Sequence, residues 1–264
     1  MNKEHTTYST SRIAEIAGLH PNTVRMYEEW GLIHKPERKK NGYRVYNDIH
    51  IKQFELARKA LQIEVIQAGL RSRIVNAVKL SAQYRFDEAI ELTFEYIRIA
   101  EQEIKNAKEA VGICEILYQQ QKADGIVYKR AQAAKELSLT IDTIRNWEMN
   151  GLLTVKRTQN GYRVYDSNDI NRLKIIRSLR SANYSLSAIL RMLEKYDNGM
   201  NKNNILNLLN TPENEEDIVT ACDKLIDSLE KAIQNAHEVI SILQEIKMMI
   251  DCQYKCNTVT RKIF

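Results

Sequence analysis

Two short stretches concentrate the groups that could do chemistry: Thr23-Val24-Arg25-Met26-Tyr27-Glu28 and Asn41-Gly42-Tyr43-Arg44-Val45-Tyr46. A guanidinium offers N–H donors in a rigid planar fork and a phenol adds one more, a set that suits phosphate oxygens. Arg44 between two tyrosines therefore reads as a phosphate contact. Both stretches recur. Thr143-Ile144-Arg145-Asn146-Trp147-Glu148 follows the first at an offset of 120, and Asn160-Gly161-Tyr162-Arg163-Val164-Tyr165 repeats the second without change at 119. Six identical residues at nearly constant spacing mark an internal duplication, Tyr8–Leu61 onto Tyr128–Arg180, with one residue lost between the two stretches. The second copy adds Lys156 and Arg157 beside Arg163.

The elements that must hold these groups can be read from the flanking residues. Ile13, Ala14, Ile16 and Ala17 form the apolar stripe of a short helix. Gly18-Leu19 makes a turn in which glycine is free to take the left-handed conformation. Pro21 suits the first turn of the next helix, Asn22 to Trp30, whose expected inner face is Val24, Tyr27 and Trp30. Two short helices joined by such a turn form a helix-turn-helix. Asn41-Gly42 is a hairpin signal, so the segment around it reads as a wing, closed by a helix over 47–61. In the second copy Thr140 is the expected N-cap and Asp142 lies in the first turn. The exposed first-turn positions that would read bases are His20, Pro21, Asn22 and Met26 in one copy and Ile141, Asp142 and Asn146 in the other. Asn pairs with adenine and Asp accepts from cytosine, so the two copies are expected to prefer different half-sites. Thr23 and Thr143 sit on the same helices as candidate DNA contacts, with a packing role as the alternative.

Each copy precedes a long helical pattern. Ile90, Thr93, Ile97, Ala100, Ile104, Ala107, Val111, Cys114 and Tyr118 alternate steps of 3 and 4, and so do Leu225, Leu229, Ala232, Ala236, Val239, Leu243, Ile246 and Ile250. That is the seam of a coiled coil; an amphipathic helix packed on its own domain is the alternative. The expected fold is mainly α. Its parts are a first winged helix-turn-helix domain over 1–80, a long helix over 85–122, a second winged domain over 124–197, a loop over 198–216, a second long helix over 217–251 and a tail over 252–264.

Charge agrees with contact to a polyanion. The chain of 264 residues carries a net +5, but residues 1–60 hold 11 basic and 7 acidic side chains and residues 123–195 hold 13 and 7. The segments after each are near neutral or acidic, so two basic surfaces alternate with two rods. No apolar run approaches the roughly 20 residues that span a bilayer, and the polar N-terminus lacks a signal-peptide core. A cytoplasmic location with reduced cysteines is the expectation. The five histidines are scattered, and no phosphate-cradling glycine loop, Ser–His–acid set or paired carboxylate is present, so no enzyme is expected.

Thr-x-Arg-x-aromatic-Glu, Gly-Leu and the Tyr-Arg-x-Tyr wing together resemble the MerR family of transcriptional regulators. Both copies fit, and Leu179 to Ile189 resembles the family's following segment, whereas the first copy departs at Ala60 to Ala68, and His20 stands where the family has a Ser or Thr cap. The resemblance implies phosphate contacts by Arg25, Tyr27, Arg44 and Tyr46, and by Arg145, Arg163 and Tyr165, with Trp147 packing only. It implies double-stranded promoter or operator DNA as partner, with RNA polymerase and an unidentified small effector as further candidates. It also implies antiparallel pairing of long helices. Because the first long helix ends just before the second copy begins, an intramolecular pseudo-dimer is favoured, with a homodimer of four readers as the alternative. No cofactor is expected. Family metal sensors place cysteines at the ends of the long helix, which makes Cys222, Cys252 and Cys256 candidate ligands in a thiol- or metal-responsive reading. Cys114 sits on the seam as a small core residue. An architectural DNA-bending role, excisionase-like or in segregation, is the remaining alternative.

Overall fold

In the computed structural model, residues 6–62, 69–119, 125–199, 205–211 and 224–260 are described, with side chains to 252. They form two compact units, residues 1–101 with 230–264, and residues 102–229.

The first unit opens with α1 (Thr10–Ala17) and α2 (Pro21–Glu29). Ser9 caps α1 by accepting from Arg12 N, and Gly18 ends it at φ 62°, where its N–H closes on the Ala14 and Glu15 carbonyls. His20, in place of a hydroxyl residue, still caps α2: its Nδ1 accepts from Asn22 N at 3.2 Å. Ile13 and Ala14 of α1 and Val24 and Tyr27 of α2 are buried. Trp30, expected on that inner face, is instead 53% exposed. The helix ends at Glu29, so Trp30 caps it beyond the last buried turn.

Strands β1 (Glu37–Arg38) and β2 (Arg44–Val45) pair antiparallel around the Asn41-Gly42 turn, with Gly42 at φ 82°. The helix α3 (Asp48–Leu61) comes next, capped by Asn47, and packs against α4 (Leu70–Ala82). A second wing-side helix thus forms in the first copy despite its divergent sequence. It starts from Gly69 in the left-handed region with no side-chain cap. Residues 63–68, the middle of the divergent stretch, lie outside the described residues.

The long helix α5 (Phe86–Gln119) begins in this unit, and α11 (Leu225–Thr260) ends in it. Thr93, Ile97, Ala100, Ala107, Val111, Cys114 and Tyr118 are buried along α5, and Leu225, Leu229, Ala232, Ala236, Val239, Leu243 and Ile246 along α11. Ile90, Ile104 and Ile250 of the same spacing are half-buried. Within the first unit Lys247 of α11 pairs with Asp87 of α5 at 2.5 Å. Lys52 and Lys59 of α3 reach Glu245 and Glu238 at 2.8 and 2.6 Å. The tail expected from 252 is helical as far as Thr260. The expected start of this helix at 217 lies outside the described residues, as does Cys222.

The second unit repeats the plan. Its elements are β3 (Val127–Lys129), α6 (Arg130–Glu136), α7 (Ile141–Met149), β4 (Lys156–Arg157), β5 (Arg163–Asp166), α8 (Ser167–Ser181) and α9 (Leu186–Asp197). Here β3 joins the hairpin, giving the antiparallel order β3-β5-β4. Thr140 caps α7, accepting from Thr143 N at 3.0 Å, and Trp147 is buried. The interval after α9 contains one short helix, α10 (Ile205–Asn210), which lies against α9. Buried Arg191 fastens it, donating to the Leu208 and Leu209 carbonyls at 3.1 Å each, where a cation also suits the helix C-terminus. Among the described residues no helix is long and apolar enough to cross a membrane.

Candidate nucleic-acid interface

In the first unit the start of α1, one side of α2 and the wing surround a cleft of about 410 Å³. Arg25, Lys39, Tyr43 and Arg44 line it with Ser9 and Thr10. Arg25 is exposed and its guanidinium donates to Asn22 Oδ1 at 2.8 Å, so the two candidate contacts of α2 are held as one unit.

The wing is locked to α2 by a carboxylate. Glu28, with its side chain only 8% exposed, receives Arg44 Nε in a short ion pair and Arg38 at 3.7 Å. A guanidinium bound through Nε keeps its other N–H groups available, so the pairing aims Arg44 without using up its donors. The second unit builds the same joint with more partners. Glu148, 6% exposed, takes Arg130 at 2.6 Å and Arg163 at 2.8 Å. It also accepts a short hydrogen bond from the Tyr165 hydroxyl, which in turn accepts from Arg130 Nε at 2.9 Å. Burial and the Glu148 carboxylate push the Tyr165 phenol up to about 12.

Each expected contact residue can now be placed. Asn22, Arg25, Asp142, Arg145, Lys156 and Arg157 are exposed, and Arg44 and Arg163 are partly so. Thr143 is half-buried, and its hydroxyl sits 2.7 Å from that of Thr140, inside the helix cap. Thr23 is likewise half-buried and donates its N–H to His20 O. Three tyrosines are corrected. Tyr27, Tyr46 and Tyr165 are buried. Tyr46 is drawn inward because its backbone bridges Tyr8 and its ring packs at 6.3 Å from Phe54, which also stacks on Tyr27. Tyr165 is held by Glu148 and Arg130. The phenols that the wings do present are Tyr43, 71% exposed, and Tyr162, 73% exposed. The sequence placed Tyr43 beside Arg44 without choosing it over Tyr46, and it gave no role to Tyr162, Arg38 or Arg130, nor to Glu28 and Glu148 as buried partners. A signal existed: an acid at the same position of both copies, in the most basic part of the chain, needs a partner if it is buried.

Cys114 is buried, which pushes its thiol up to about 12, and Cys252 is exposed. Cys222 and the side chain of Cys256 lie outside the described residues. Among the described residues no group of three or more His, Cys, Asp or Glu side chains forms a metal-binding cluster.

A family model described as MerR HTH family regulatory protein matches residues 8–66 and 128–196. The HTH-type transcriptional regulator CueR of Escherichia coli is 43% identical over 53 residues, 20% of this chain and 39% of that protein. The regulator ZntR of Escherichia coli is 37% identical over 68 residues, 25% of this chain and 48% of that protein. The chain therefore spans about half or less of these relatives' length. A solved structure, HiNmlR, a MerR family regulator lacking the sensor domain, bound to promoter DNA, is 22% identical with a TM-score of 0.27, covering 52% of this chain and 92% of that one. Such a likeness carries nothing about how the two units are arranged.

Proposed function

We propose that the chain is a sequence-specific regulator of transcription that grips double-stranded promoter DNA with two helix-turn-helix domains, residues 8–66 and 128–196, the two regions that match the MerR HTH family model. One observation carries the reading. The same constellation is built twice, with an exposed recognition helix, an exposed wing tyrosine and a wing arginine aimed by a buried glutamate. Guanidinium and phenol groups contact phosphates and set the register, while first-turn side chains read bases. Asn22 in one reader and Asp142 in the other call for different bases, so the operator is an imperfect palindrome.

One chain supplies both half-site readers, as an intramolecular pseudo-dimer. In support, the end of α11 shares a compact unit with the first reader and is pinned to α3 and α5 by three lysine–carboxylate pairs. Selection of binding sites from a random duplex pool tests the proposal. It is expected to return two unlike half-sites, and Asp142→Asn is expected to change the bases chosen in one of them alone. A perfect palindrome, or a pool with no preferred sequence, would contradict it. Light scattering is expected to give a 30.7 kDa species that binds one duplex per chain.

A further inference from the structure

Duplication allows one junction in the fold to be compared with its own copy. In the first unit the loop after α2, the start of α3 and the end of α4 meet around a filled cluster of rings. The His34 ring lies 4.3 Å from that of Tyr84, and its Nδ1–H donates to the Ala82 carbonyl at 3.1 Å. Buried His50, third residue of α3, stands 6.4 Å from His34. Gln53 spans the junction, accepting from His34 N at 2.8 Å and donating to Ser81 O at 3.4 Å. Tyr84 takes the left-handed conformation at φ 62°, just past the end of α4.

The second unit keeps the backbone and changes the side chains. Thr154 stands in the place of His34, and Asp169, third residue of α8, in the place of His50. Arg172 replaces Gln53 and spans the same gap, donating to Leu152 O at 2.7 Å and to the Asp197 carboxylate at 2.8 and 3.0 Å. Gly199 at φ 82° replaces Tyr84; both donate their N–H to the carbonyl three residues back, Gly199 to Tyr196 and Tyr84 to Ser81. The His34, His50 and Tyr84 rings of the first junction are therefore all missing from the second. A cleft of about 330 Å³ is present there, lined by Thr154, Asn168, Asp169, Arg172 and Asp197 with Tyr118 as an aromatic wall. Tyr118 is braced by stacking on Tyr196, ring centroids 3.5 Å apart. Among the described residues nothing lies within 4 Å of the point where a Cβ on Gly199 would sit.

We propose that this cleft binds a small planar nitrogen heterocycle carrying positive charge, seated beside Thr154 and Asp169, where the other copy of the fold carries the imidazoles of His34 and His50. Two carboxylates against one guanidinium leave the lining net negative. The Tyr118 ring, stacked on one side by Tyr196, adds an aromatic group to the lining, and aromatic rings attract cations. Thr154 and Asn168 supply further hydrogen-bonding groups. The ligand would touch α5, α8 and the loop after α7 at once, which places it between the second reader and its rod within one unit.

Calorimetric titration of the full chain with 2-aminobenzimidazole, in the absence of DNA, tests this independently of the DNA-binding reading. One saturable site per chain is expected, with indole, a similar shape without the charge, binding at least tenfold more weakly. Thr154→His with Gly199→Tyr, which rebuilds two of the first junction's rings in the second, is expected to abolish binding. Thr154→His alone, at an exposed position that tolerates the change, is expected to weaken it at least tenfold. No heat at millimolar probe, equal affinity for indole, or full affinity in Thr154→His would overturn the proposal.

Discussion

Glu28 and Glu148 are acids buried in the two most basic parts of the chain, and each is the pin that fixes a wing to a recognition helix. Removing one partner of a buried pair leaves the other charge uncompensated, which is destabilising by roughly 3–5 kcal/mol. Glu148→Gln is expected to fall near the lower end, because the Arg130 and Arg163 side chains are 22% and 37% exposed to water. Thermal denaturation checks it, and an unchanged midpoint would contradict the role. At the surface, Arg25→Ala is expected to lower the salt slope of DNA binding by about 0.9, the share of one phosphate. His50 gives a pH prediction. Burial, and then the neighbouring His34, hold its imidazole down to about 4. The unfolded chain takes up that proton near the ordinary value of 6.5, so stability is full above it and declines as pH falls toward 4. The loss is at most roughly 3 kcal/mol. Denaturant midpoints measured across this range should decline for the native chain and stay flatter for His50→Gln. At this scale the sequence was half legible. Repetition exposed the arginines, but choosing between Tyr43 and Tyr46 required knowing that Tyr46 bridges Tyr8 and turns into the core.

Among the elements, caps and turns carried most of the information. Ser9, Gly18, Asn47 and Thr140 sit at helix ends where their chemistry predicts them, and Asn41-Gly42 turns the wing. Gly18→Ala tests the geometry: a Cβ there lies in the left-handed region, 3.3 Å from an Arg58 nitrogen. The expected loss is about 1–2 kcal/mol, read from chemical denaturation, and a neutral result would contradict it. The long helices were legible for a different reason. A 3-and-4 spacing survives whatever the helix packs on, so the buried positions could be named without knowing the partner. Boundaries were less visible, because α11 runs on after Ile250 into residues 251–260, where the 3-and-4 spacing of aliphatic residues does not continue. Nor did sequence reveal α4 in the first copy, since Gly69 starts it without the side-chain cap that announces α9.

For the whole molecule, duplication is the fact that organises everything else. Two readers with one plan differ where they would meet DNA, Asn22 against Asp142, and where they meet their rods. Lys52 and Lys59 tie the first unit's α3 to α11 through ion pairs, whereas in the second unit Asn171 and Ser178 occupy the matching positions and Tyr118 stacks on Tyr196 instead. Exposed ion pairs are weak and screened by salt, so the first junction should loosen with ionic strength before the second. Hydrogen exchange at low and high salt should show protection falling first in α3. The claim beneath all of this is that both readers of one chain hold the same duplex. Footprinting of the full chain on a selected operator tests it most directly. Two separate protected patches are expected, with Arg25→Ala weakening one and Arg145→Ala the other; a single patch indifferent to one of these substitutions would contradict binding by both readers.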